Sequence, residues 1–576
     1  MGVSRILQLC LQALRALNPL RRIRDRWWLS RAKHPSLAGH PYTALTLSRW
    51  LPGYSYDDAQ FFVADGAPPE IAALRRRGLA ALRDRVVAAS PRTLAASEDL
   101  RSGISDADFV NAYRVPFQFR DVVARALPVP TVVARAEGAR VWDLDGNVSY
   151  DLGGSYGVNV LGVEWYKANI AQAVAAANDV GLVLGAYHPV VADNVARLRE
   201  VSGMDEVSFH MSGTEAVMQA VRLARYHTGR SHVVRFCGAY HGWWDGVQAG
   251  PGNPRPAREV YTLAEMSERT LRVLRTRTDI ACVLVNPIQA MNPNGSPPSD
   301  STLVSNDRAF TYDRAAYTRW LQQLREVCTA RGMALIFDEV FLGFRLARGG
   351  VQAYFGVSAD LVTYGKTLGG GFPVGVVCGK RAWMRRYRPD APADICFARG
   401  TFNAHPYVMT AMNAFLRHID TPEMVRQYAG LDTTWERRAA ALNLCLEAAG
   451  VPVRVGAFTA IWTTLYTEPG RYHWMFQYYL RAQGIMPAWI GTGRFIFSHA
   501  TTAAEFDDIL GRFVAAARAM KADGWWWRDA GTTSSTIRKQ VSRELLRVRF
   551  GHPAVPELPA PRVPDQPGIA ARVTLR

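Results

Sequence analysis

Between about residues 115 and 525, short apolar runs alternate with amphipathic stretches. HVVRF (232–236), ACVLV (281–285), ALIFDEV (334–340), LVTYG (361–365) and VGVVC (374–378) are apolar almost throughout rather than at every second position. Strands of that kind are buried on both faces, so the pattern predicts a largely parallel sheet covered by helices on both sides, an α/β fold. SGTEAVMQAVRLARYHTG (212–229) reads as one of those helices. Val217, Ala220, Val221 and Ala224 fall on a single face, and Ser212 with Glu215 three residues on predicts a capping box. Upstream, EIAALRRRGLAALRDRVVAA (70–89) repeats with a 3.6-residue period inside a helix-rich N-terminal extension spanning 1–114. After Trp525, Trp526 and Trp527 the chain turns basic and then Pro-rich (HPAVPELPAPRVPDQPG), so the tail 525–576 is expected to be partly disordered. No internal repeat is evident.

Composition narrows the class. The 576 residues are 48% hydrophobic and 20% charged, with a mean hydropathy of −0.08, which excludes a largely disordered chain and a polytopic membrane protein. The formal net charge of +18 invites a nucleic-acid reading, but the first 35 residues carry net +7 and the last 47 net +5, leaving the middle only mildly basic. Basic ends serve solubility, or dock an acidic protein, a membrane surface or nucleic acid; no nucleic-acid-binding motif supports the last. Leu7, Leu11 and Leu14 precede Pro19 and RRIRDRWW, a basic amphipathic stretch without a signal-peptide core or a spanning helix. Seven cysteines, none in a C-x-x-C pair, read as buried thiols in a reduced, cytoplasmic setting.

Chemistry concentrates where two strands end in charge. ALIFDEV delivers Asp338 and LVTYG delivers Lys366 to the carboxyl edge of the sheet, where open α/β sheets bind ligands. The Gly-Lys-Thr at 365–367 is not a phosphate loop, because the first glycine of that motif would stand at position 360, which is Asp. Lysine at a strand end, followed by Gly369, Gly370 and Gly371, is better explained as a Schiff-base amine beside backbone that approaches a flat cofactor closely. Asp338 would then hold the pyridinium nitrogen of pyridoxal 5'-phosphate protonated, keeping the ring an electron sink. Standing alone, Lys366 would more often be a solvated surface lysine and Asp338 a helix cap or structural acid. The helix start at Ser212, Gly213 and Thr214 offers N–H donors and a hydroxyl for a phosphate, or is an ordinary capped helix. Tyr240 and His241 lie in a loop at the same edge, where an aromatic could stack on the ring.

Taken together, SGTEAVMQAVRLAR, GAYHG, DEVFLGFR, YGKTLGGGFPVG and ARGTFNAHP, in this order, resemble the class III pyridoxal-phosphate aminotransferases of fold type I. The resemblance is to the glutamate-1-semialdehyde aminomutase-like branch, which includes aminotransferase modules of biosynthetic assembly lines, and it covers about 115–520. It implies a mainly parallel central sheet with helices on both faces (large domain, 176–404) and a smaller α+β domain assembled from 115–175 and 405–524. It also implies that Lys366 forms the Schiff base, that Asp338 pairs with the ring nitrogen, that Gly213 and Thr214 bind phosphate and that Tyr240 covers the ring. Thr401 would reach the phosphate of a neighbouring subunit in a homodimer, and Ser155 and Tyr156 would lie near substrate. Arg399 or Arg494 would bind a substrate carboxylate or serve as a structural ion pair.

Three departures bear on the reaction. Asn286 replaces a Glu that many family transaminases carry before Pro287; Phe341 follows Asp-Glu-Val where transaminases have Gln and aminomutases Met or Ile; and Ile490 or Gly493 stands where aminomutases have a Glu. These favour an apolar or aromatic substrate pocket and an aminotransferase working on an amino donor and a keto or aldehyde acceptor. The alternatives are an intramolecular aminomutase and a catalytically silent scaffold. The basic ends and the assembly-line resemblance suggest an acidic acyl carrier protein as partner.

Overall fold

The structure is a computed structural model that describes residues 19–35, 37–107, 109, 115–255, 258–287, 313–488 and 493–551. The amphipathic stretch at Leu7–Leu14, Cys10, most of VNPIQAMNPN, Ile490 and the Pro-rich tail lie outside them. Among the described residues no helix is long and apolar enough to cross a membrane.

Seven strands build the larger sheet: β1 (Glu206–His210), β2 (His232–Phe236), β3 (Val260–Leu263), β4 (Ile280–Val285), β5 (Ala334–Asp338), β6 (Leu361–Gly365) and β7 (Gly375–Gly379), in the spatial order β1-β7-β6-β5-β4-β2-β3. All neighbours are parallel except β7, which runs against both β1 and β6. Alternate residues serve the two faces. Cys282, Leu284, Ala334, Ile336 and Leu361 pack under the helix Gly213–Thr228, while Val283, Val285, Leu335, Phe337 and Val362 face the opposite core, covered in part by Arg314–Arg331. That two-sided burial is why these runs are apolar at every position.

The helices Val163–Ala177 and Pro406–His418 were expected in the smaller domain. They pack on each other, and Trp165, Val408, Met412 and Phe415 join the larger core, so the boundary expected at 404/405 falls before a helix of the larger unit. Their contact also explains Gly370 and Gly371, which have φ of 60° and 110°. A Cβ on Gly370 would meet Ala411 O at 2.5 Å and one on Gly371 would meet Ile170 at 2.7 Å. The expectation that these glycines admit a cofactor is corrected: they admit the two helices.

A second core, rich in aromatics, belongs to the smaller unit with its four-stranded and three-stranded sheets. Residues 56–82 of the N-terminal extension are part of it. Tyr56, Phe61, Phe62, Leu79 and Leu82 pack with Tyr472, Trp474 and Trp525, and the fully buried Arg75 forms a two-point ion pair with Asp65 at 2.8 and 2.6 Å while donating to Phe62 O and Gly524 O. Earlier, Lys33 makes an antiparallel bridge to Leu263 and Ala264 N donates to Ala32 O, covering part of the exposed edge of β3. Within the described part of the tail, 525–551, a regular element is present. Ser534–Phe550 is a helix whose Glu544 accepts from Arg471, Tyr54 and Tyr56. Of the six described cysteines, five are buried and Cys445 is half-buried; none forms a disulfide.

Candidate active site

The carboxyl ends of β5 and β6, the start of the helix Gly213–Thr228 and the loop after β2 converge on one spot. A Cβ on Gly213 would lie 2.5 Å from Val340, and one on Gly365 would lie 3.2 Å from Val340 and 3.8 Å from the Gly213 Cα. A Cβ on Gly242 would come 2.6 Å from Thr214 Oγ1. Asp338, Lys366, Gly213, Thr214 and His241 are therefore neighbours in space although they span 154 positions of the chain.

Asp338 ends β5 and is buried. Its Oδ2 accepts from His241 Nδ1 at 2.7 Å, and its Oδ1 accepts from Val340 N at 3.2 Å and Thr363 Oγ1 at 3.3 Å. His241 is thus the carboxylate's partner, which its place in the motif did not disclose. Its other nitrogen, Nε2, is buried without a hydrogen-bond partner among the described residues. Tyr240, next to it, is 63% exposed, and burial with the charge of Asp338 pushes its phenol upward.

Lys366 follows β6 with φ of 50°, a left-handed conformation that turns the half-buried side chain back over the sheet edge. Its Nζ donates to Tyr156 O and sits 4.6 Å from the centre of the Phe341 ring. Burial, reinforced by Arg345 and Arg494 and opposed by Asp338, lowers the amine to about 8. Arg345 was not foreseen: only its place in DEVFLGFR marks it. It is fully buried, and its guanidinium donates to Phe497 O, Gly157 O and Asn159 O.

The helix start differs in one detail from expectation. Ser212 Oγ accepts from Glu215 N at 3.3 Å, but the Glu215 carboxylate turns back to Met211 N at 2.9 Å instead of Ser212 N, so the capping box is half formed. The N–H groups of Gly213 and Thr214 belong to the first helical turn, which has no internal acceptor for them. Ser155 and Tyr156 are exposed on the smaller unit and reach the site through the Tyr156 carbonyl. Arg494 begins a small-domain strand within electrostatic range of Lys366. Arg399 and Thr401 lie apart, exposed in the stretch after the strand Ala391–Ile395; Arg399 donates to Gly185 O at 3.4 Å, and neither bonds to the Lys366–Asp338 cluster. Asn286 is buried just beyond the carboxyl end of β4.

A buried acid, an amine of lowered basicity across from it and a helix start bearing free N–H groups form a donor set that fits a phosphorylated pyridine aldehyde. The comparisons agree. The class-III aminotransferase pattern matches residues 122–253 and 313–517. A glutamate-1-semialdehyde 2,1-aminomutase of Nitratidesulfovibrio vulgaris is 33% identical over 408 residues, 68% of this chain and 91% of the relative. Among solved structures, a β-phenylalanine aminotransferase of Variovorax paradoxus superposes with a TM-score of 0.63 at 26% identity, covering 79% of this chain and all of the other. A transaminase with pyridoxal phosphate bound superposes with a TM-score of 0.58 at 25% identity, covering 73% and 99%. The chain belongs to the class-III aminotransferase family. Its fold is that of the fold type I transferases, and the cofactor is pyridoxal 5'-phosphate.

Proposed function

We propose that this protein is an aminotransferase that moves an amino group from a donor amine to a keto or aldehyde acceptor, with Lys366 as the cofactor lysine. The observation that carries the proposal is the placement of the Lys366 amine at the sheet edge against Tyr156 O and Phe341, with Asp338 behind it. When bound, pyridoxal 5'-phosphate supplies an aldehyde that joins an amine and a ring that accepts the electron pair released at the donor's Cα.

The chain's own residues supply the rest. An amine near 8 is neutral in about one molecule in ten at pH 7, against about three in ten thousand for an ordinary lysine. Lys366 can thus take the donor Cα proton and hand it on without waiting for solvent. Asp338 stays where the ring nitrogen needs an anion because His241, Thr363 and the Val340 N–H hold both of its oxygens. Gly213 and Thr214 would take the phosphate at the helix start, and Tyr240 would cover the ring. Phe341 presents an aromatic wall, which suits an apolar or aromatic substrate better than a short polar one. In a homodimer, the exposed Thr401 would approach the phosphate site of the neighbouring copy.

A second reading, intramolecular amino transfer, draws support from the aminomutase relatives. One experiment separates them. Transamination predicts that a donor alone converts the bound cofactor from its aldehyde to its amine form and releases the keto product, with turnover requiring a separate acceptor. Turnover of an amino aldehyde with no donor would establish the second reading instead.

A further inference from the structure

The Lys366 amine does not rest on a side chain. It donates to the carbonyl of Tyr156, inside a turn of unusual backbone. Gly154, Ser155, Tyr156 and Gly157 have φ of 55°, 47°, 55° and 93°, four left-handed residues in succession, two of which carry side chains. Each such non-glycine residue costs about 1–2 kcal/mol, so the turn persists only if its surroundings impose it.

Side chains hold it from both ends, half-buried on one side and fully buried on the other. On the entering side, Asp151 Oδ1 accepts from Gly153 N at 2.9 Å and Gly154 N at 3.2 Å. On the leaving side, Arg345 Nη2 donates to Gly157 O at 3.2 Å and Asn159 O at 3.3 Å, while Nη1 donates to Phe497 O at 2.8 Å. Tyr166 completes the hold: its hydroxyl donates to Val158 O at 2.7 Å and lies 2.6 Å from Thr367 Oγ1, tying this segment to the residue after the lysine. Arg345 is fully buried and forms no ion pair among the described residues. An arginine buried with carbonyls alone is costly, and its three carbonyls belong to the two small-domain segments that flank Lys366.

We infer that Arg345 and Asp151 are positioning residues for the lysine: together they pin the left-handed turn whose Tyr156 carbonyl receives the Lys366 amine whenever that amine is not joined to the cofactor. The inference rests on the reading of Lys366 given above. Its consequence is that the freed amine is held beside the reacting centre instead of swinging out into solvent. The charged groups facing Lys366 are Asp338, Arg345 and Arg494, and the titratable groups facing Arg345, all neutral, are Tyr166, Tyr428 and His499. Burial together with Arg345 keeps His499 neutral, so among these Arg345 and Arg494 set the positive field against Asp338.

The test uses full-length protein freed of cofactor, with Lys366 acylated by an amine-selective reagent across a pH series and quantified by peptide mass. Wild type should label with a half-point near 8. Arg345→Gln removes a neighbouring cation and releases the turn, so the half-point should climb toward the ordinary 10.5 and labelling at pH 8 should fall several-fold. Asp151→Asn keeps the shape and the charge of the lysine's immediate neighbours but weakens the turn; it should move the half-point the same way, and it serves if Arg345→Gln does not fold. Variants that melt earlier yet label with the wild-type pH profile would reduce both residues to structural supports and overturn the inference. Covalent cofactor trapped at a residue other than 366 would instead overturn the reading beneath it.

Discussion

His241 Nδ1 lies 2.7 Å from Asp338 Oδ2, and both side chains are buried, so the acid at the base of the site is held from behind by an imidazole that water does not reach. Replacing His241 by Phe leaves a buried carboxylate short of a donor. The expected cost is about 1–3 kcal/mol in stability, read by chemical denaturation, together with weaker cofactor binding. Asp338→Asn removes the charge itself and should slow the donor half-reaction by about 10² to 10³ at unchanged fold, read by single-turnover absorbance.

The lowered amine at Lys366 fixes a pH dependence. With the neutral form as the proposed base, the proton-transfer step should gain about ten-fold per pH unit below 8 and level off above it. The linkage has the same direction: with the folded value below the ordinary 10.5, folding is penalised at low pH and the penalty fades as pH rises from 8 toward 10.5. A half-reaction rate that is flat from pH 6 to 9, in steps where proton transfer limits, would contradict this assignment.

Gly213 tests the helix start. A Cβ there comes 2.5 Å from Val340 Cγ1, so Gly213→Ala must push the first turn away from β5 and β6. Cofactor affinity should fall by about ten-fold, equivalent to about 1.4 kcal/mol, as measured by equilibrium dialysis. A variant that binds as wild type would place the phosphate elsewhere.

Two segments near the ends, around Arg75 and around Glu544, anchor on the smaller unit. Arg75→Ala strands Asp65 and should destabilise by about 3–5 kcal/mol in urea unfolding. Burial pushes the Glu544 carboxyl up, but bonds from Arg471, Tyr56 and Tyr54 outweigh it and hold the group below its ordinary 4.5. Its contribution is therefore present above 4.5 and lost as pH falls through the lower folded value. The stability gap between wild type and Glu544→Gln should be full at pH 7 and close on acidification, a trend that denaturation at several pH values will show.

The chain's strands were legible because burial on both faces leaves no polar position in β4, and the convergence of Asp338 and Lys366 on one sheet edge was legible because each comes at the carboxyl end of such a run. Arg345 and the Asp338–His241 bond were not. An arginine that spends its donors on backbone carbonyls 152 to 188 positions away leaves no local pattern, and the tautomer and partner of a histidine depend on what another strand brings to it. Gly370 and Gly371 misled for the same reason: their glycine requirement is set by Ala411 and Ile170, on helices distant in sequence. The helix Ser534–Phe550 was obscured by its basic, polar composition, since its inward anchors are few and mostly polar: the acid Glu544, Gln540, which donates to Ala64 O, and the apolar Ile537.

The identity of the cofactor lysine is open to direct chemistry. Borohydride reduction of the holoenzyme followed by peptide mass mapping should place one phosphopyridoxyl group on the peptide containing Lys366 and none on the Lys366→Ala protein. A label on another lysine, or the same labelling after that substitution, would contradict the account.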